Sequence, residues 1–158
     1  MGFLDKLKAE RMKEDAKEKR IAEKLAEKER IKEEALNKNI QLFQQSGIEG
    51  KFREYVEQVN CCLRGFGNIE IEEHRRFSYG FELKGVSKID FEADHKGLFT
   101  TFYHYIRIRE GFFEGERYSY HTDPDRIPLR LERVNEKYME RCVKWVRGES
   151  IFVPKSWW

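Results

Sequence analysis

Residues 40–52 read IQLFQQSGIEGKF, and the fold turns on the seam inside them at Ser46. Upstream, from Phe3 to Gln45, there is no Pro and no Gly, and Lys, Glu, Arg, Ala and Leu dominate, which sums to high helix propensity. Downstream the chain becomes aromatic-rich. Ser46-Gly47-Ile48-Glu49 fits the Ser-x-x-Glu pattern, in which hydroxyl and carboxylate satisfy orphan backbone donors at a helix start, and it predicts a second helix from about Gly47. Two units follow: a charged helical arm over 1–46 and an α+β globular domain over 47–158.

The arm is laced with opposite charges at i,i+3, among them Glu10 and Lys13, Arg20 and Glu23, and Glu29 and Lys32. At 1.5 Å per residue it reaches roughly 60 Å. Its apolar positions are sparse: Leu4, Leu7, Met12, Ala16, Ile21, Leu25, Ile31, Leu36, Ile40 and Phe43. A strict heptad through Ile21 and Leu25 meets Lys28 and Lys32 at core positions. A solvated single helix is the first expectation, with a coiled coil or a helix laid on a partner as the alternatives. Phe3, Leu4 and Leu7 are expected to touch a partner or a membrane surface, and Ile40 and Phe43 to touch the domain.

Past the seam, Ile48, Phe52, Tyr55, Val56, Val59, Cys62 and Leu63 recur with helical period, and Gly65 supplies a stop. Beyond Gly67 the period becomes two. Ile69 and Ile71, then Phe77, Tyr79, Phe81 and Leu83, then Ile89, Phe91 and Ala93 alternate with polar residues, predicting antiparallel strands. Turns are expected at 74–76, 85–87 and 94–97. Leu98 to Arg109 carries bulk on both faces and reads as one central strand. Tyr118 to His121 is expected to return beside it, and the Pro-bearing segment 123–128 to be a loop. A last helix is expected from Leu129 to Arg147. The whole reads as an α+β fold: long charged helix, helix, antiparallel meander of about five strands, and a C-terminal helix packed on the sheet.

The net charge of +2 on 158 residues comes from the arm, with 12 basic against 10 acidic residues; the remainder holds 19 of each. Such balance provides no field for indiscriminate nucleic-acid binding. Three cysteines, an odd number with Cys61 and Cys62 adjacent, fit a reducing compartment, and Cys62 and Cys142 are expected as small buried hydrophobes. No signal peptide or membrane-length apolar run is present, so a cytoplasmic protein is expected.

Three chemistries compete. Asp90, Glu92 and Asp94 share one strand face beside His95 and resemble a hard-cation ligand set, although a solvent-facing strand shows the same spacing. His104 and His121 face each other in the expected hairpin and would suit a small hydrolase or nuclease. Tyr103, Tyr105, Arg107 and Arg109, widened by Arg117, combine stacking with phosphate contact and would suit nucleic acid. No phosphate loop, nucleophile elbow or zinc spacing occurs, so neither catalysis nor a cofactor or metal is expected. Phe112 and Phe113 at a hairpin tip, and Trp157 and Trp158 at the tail, join the arm as expected partner-binding positions. The favoured reading is a non-catalytic protein-binding module. Its charge and lack of motifs would suit a phage or mobile-element accessory protein acting as inhibitor, adaptor or assembly factor, its partner another protein or a second copy through the arm.

Overall fold

The computed structural model describes residues 2–74, 79–103, 105–108, 117–120 and 125–149, with backbone alone for His74, 105–108 and 117–120. Helix α1 spans Phe3–Gln45, and the Asp5 carboxylate accepts the Gly2 N–H at 3.1 Å in its first turn. It ends differently from the capping-box expectation. Ser46 keeps helical backbone angles, and its hydroxyl donates to the Phe43 carbonyl at 2.5 Å while accepting the Ile48 N–H at 3.3 Å. Ser46 therefore closes α1. Gly47, at φ 64°, takes the left-handed conformation that turns the chain into α2, Ile48–Leu63.

Ile48, Phe52 and Val56 bury the core face of α2. Cys62 is exposed, contrary to expectation. Ten residues from Phe52, it lies about 80° round the helix from the centre of that face.

Strands β1 (Glu70–His74), β2 (Tyr79–Lys84), β3 (Lys88–Asp94) and β4 (Gly97–Tyr103) form the antiparallel meander, and β7 (Asp125–Pro128) completes a five-stranded sheet ordered β1-β2-β3-β4-β7. Strands β5 (Tyr105–Ile108) and β6 (Arg117–Tyr120) pair in a separate two-stranded ribbon. Two expectations are corrected here. The described residues of 98–109 belong to two strands, β4 and β5, and residues 125–128 of the Pro-bearing segment form a strand, not a loop. Pro128 is tolerated because β7 is an edge strand, where a missing backbone donor costs little. The last helix is also shorter than expected. A 3₁₀ turn at Leu131–Arg133 precedes α3, Glu136–Val146, whose start is set by the Asn135 side chain accepting the Tyr138 N–H at 2.9 Å.

Register assigns the two faces of the sheet. Leu83, Ile89 and Phe102 share one row, and Phe81, Phe91, Thr100 and Ile127 share the next, all on the helix-covered face. Phe52 packs on Phe81 and Phe91, Phe43 on Tyr79 and Phe81, and Trp145 edge-on against Phe102 at 5.5 Å. All three helices thus meet one side of one sheet. The close pairing of β2 and β3 requires Gly80, where a Cβ would lie 1.8 Å from the Phe91 carbonyl oxygen.

Candidate functional site

Two features of the described residues stand outside this core: the length of α1 beyond the sheet, and the polar face of the sheet itself. Only the last turns of α1 are docked. Asn39 donates to the Asp94 carbonyl at 2.7 Å, Ile40 packs against the core, and Phe43 is 2 % exposed. Every residue from Phe3 to Glu34 is exposed, including Phe3 at 76 %, Leu4 at 68 %, Leu7 at 45 %, Ile21 at 50 % and Leu25 at 57 %. At about 1.5 Å per residue this free length is roughly 48 Å. Its ion pairs are surface pairs: Arg30 holds Glu27 at 2.5 Å and also reaches Glu34, and Lys32 lies 3.5 Å from Glu29. The hydrogen bond from Arg30 lowers the Glu27 pKa. Such exposed pairs are screened by solvent and add little, so helix propensity maintains the arm.

The polar face differs from the expectation of a solvated strand. Glu82 and Asp90 are each 6 % exposed. Cross-strand register places them opposite each other, with Lys84 opposite Lys88 in the neighbouring row. Diagonal pairing resolves both repulsions: Glu82 contacts Lys84 at 2.8 Å and Lys88 at 3.0 Å, while Lys88 lies 3.6 Å from Asp90 and Lys84 reaches Glu72 at 2.7 Å. Burial alone would raise the Glu82 pKa, but hydrogen bonds from Lys84 and Lys88, with their charge, hold it down at about 2. Further along, Arg126 pairs with Glu92 at 3.3 Å and Asp94 at 2.5 Å and lies over the Phe99 ring at 3.9 Å. Asp94 also accepts the backbone N–H groups of Lys96 and Gly97; desolvation would raise its pKa, but the Arg126 hydrogen bond first, then these two backbone bonds and the Arg126 charge, lower it.

No protein-family model, curated protein or solved structure matches this chain.

The carboxylates proposed from sequence as hard-cation ligands are thus engaged by cations of the protein. Asp90 sits with Lys88, and Glu92 and Asp94 with Arg126. Among the described residues no group of three or more His, Cys, Asp and Glu is placed to hold a metal ion. The nucleic-acid face is divided. Tyr103 lies on the polar face with the Lys88 ammonium 4.8 Å from its ring centroid, whereas Tyr105, Arg107 and Arg117 belong to the separate ribbon. Burial first, then the charges of Asp90, Glu92 and Glu82, pushes the Tyr103 hydroxyl up to about 12. Arg109, His104, His121, Phe112, Phe113, Trp157 and Trp158 lie outside the described residues.

Cys61 is exposed in a groove with Arg53, Val56, Asn60 and Ile69 between α2 and β1. Cys142 is buried, which pushes its thiol well above the ordinary range and leaves it a packing residue. No helix among the described residues is long and apolar enough to cross a membrane. The Glu82–Lys88 cluster escaped sequence reading, although its signal is there. A three-residue turn at 85–87 sets Lys84 opposite Lys88, and two carboxylates then fall directly opposite each other.

Proposed function

We propose that this chain is a non-catalytic protein-binding module in which α1 is the binding arm and the sheet with its helices is the anchor that aims it. One observation carries the reading: a single helix is fixed to the core at Asn39, Ile40 and Phe43, yet presents Phe3, Leu4, Leu7, Ile21 and Leu25 to solvent over its free length. A folded monomer gains little from that display, whereas a partner surface would bury it, each large side chain contributing about 1.5–3 kcal/mol when fully covered. The charge balance of the domain, and the division of the Tyr/Arg face between two sheets, favour protein over nucleic acid as the occupant. An adaptor or assembly factor, of the kind encoded by phages and mobile elements, is the role that a projecting arm without catalytic groups serves.

Affinity capture of the full chain from its native lysate, with and without nuclease, tests this. The expected result is a protein retained in stoichiometric amount after nuclease treatment and lost with Leu7→Ser combined with Leu25→Ser, the melting temperature being unchanged. Material lost entirely to nuclease, or capture indifferent to the substitutions, would contradict it.

A further inference from the structure

The exposed stripe of α1 carries a pattern that names an occupant. Between Glu14 and Lys32 the positions facing one side run Glu14, Glu18, Ile21, Leu25, Lys28, Lys32, spaced alternately four and three apart, and all six are exposed. Seen as one strand of a parallel pair, this heptad fails, because Glu would meet Glu in two layers and Lys would meet Lys in two more. Turned end over end, the same six residues complement themselves. With residue i of one copy level with residue 46 − i of the other, Ile21 meets Leu25, Glu18 meets Lys28 and Glu14 meets Lys32, and the two-fold axis repeats each pair.

Resting on the reading of α1 as a binding arm, we infer that its occupant is a second copy of this chain, paired antiparallel about a two-fold axis level with residue 23. The lysines that break a heptad within one chain are thereby the residues that select orientation, since the parallel alternative places like charges together. Beyond Lys32 the stripe is already used, Ala35 and Leu36 being half-buried and Phe43 buried against the chain's own sheet. Pairing therefore stops there. Past that level the other copy's first turns, with Phe3, Leu4 and Leu7, leave the seam, because the chain's own sheet occupies that face of α1. The like charges that flank the seam, Lys24 beside Lys24 at the axis and Asp15 beside Glu29 on either side of it, stand in solvent, where their repulsion is weak.

Charge reversal tests the orientation without disturbing the fold, because all four charged positions are exposed. Wild type should show by light scattering a mass approaching twice 19.1 kDa as concentration rises. Glu14→Lys with Glu18→Lys should weaken association by about tenfold or more, as should Lys28→Glu with Lys32→Glu, while helix content stays unchanged. Mixing the two variants should restore the doubled mass, since every reversed residue then meets its opposite. A wild-type chain monomeric at its highest soluble concentration would overturn the inference, as would a mixture that fails to associate or a doubled mass unaffected in either variant. A monomer that instead sediments with anionic vesicles would assign the stripe to a lipid surface and overturn it equally. If wild type is monomeric but still captures a protein through Leu25, only this inference falls; if it captures nothing, the reading of the arm falls with it.

Discussion

The two ends of α1 are one helix with one apolar stripe, yet Phe43 is buried and Leu25, eighteen residues and five turns earlier on the same face, is 57 % exposed. Propensity forms both ends. Only the last turns have a sheet to lie on, because β3 ends and β4 begins where Asn39 meets the Asp94 carbonyl. The contrast shows that a helix face has no fixed meaning: the same pattern is core where the fold covers it and a binding surface where it does not. Charged residues show the same division. Arg30 and its glutamates stand in solvent, whereas Lys88 and Glu82 are nearly closed from it.

Substitution at the docked end should give the largest effect. Phe43→Ala removes a ring in contact with Tyr79 and Phe81 and should cost about 3–5 kcal/mol in urea unfolding. A loss no larger than that of an arm substitution would erase the distinction drawn here. Lys88→Ala comes next, leaving Glu82 and Asp90 with less compensation, and should destabilise by about 2–3 kcal/mol. Gly80→Ala follows at about 1–3 kcal/mol, since the added methyl meets the Phe91 carbonyl and the strands must separate.

The pH dependence sharpens the comparison of charges. With its carboxyl at about 2 in the folded protein, Glu82 binds fewer protons there than in the unfolded chain, where the ordinary value is about 4.3. Its contribution is complete above that ordinary value and is lost as pH falls toward 2. Glu82→Gln should flatten the acid limb of the stability profile, and an unchanged limb would show the cluster to be electrostatically idle. Smallest of all, Leu25→Ala in the monomer should stay within about 0.5 kcal/mol of wild type.

Much of the fold is legible from period alone. Alternation at Phe81, Leu83, Ile89 and Phe91, and helical spacing at Ile48, Phe52 and Val56, identify the core because side-chain direction follows backbone geometry. Where the reading went astray, the deciding contact was nonlocal. Bulk on both sides of 98–109 resembles a single strand, but β4 and β5 pair with different partners, and nothing near Tyr103 announces the change. Segment 125–128 resembles a loop because Pro128 breaks a ladder, and only its place at the sheet edge makes it a strand. For the candidate site, exposure of Phe3, Leu4 and Leu7 followed from a stripe too thin to fold alone. Burial of Asp90 did not follow, since it depends on cations from Lys88 in its own strand and from the register with β2.

Hydrogen exchange along α1 in dilute protein tests the central claim most directly. The predicted result is two classes within one continuous helix: slow exchange from about Ala35 to Gln45, shared with α2, and fast exchange over Phe3 to Glu34, set by helix opening alone. Uniform protection along all of α1 would mean that the arm is already covered by its own chain, and would contradict its role as a binding surface.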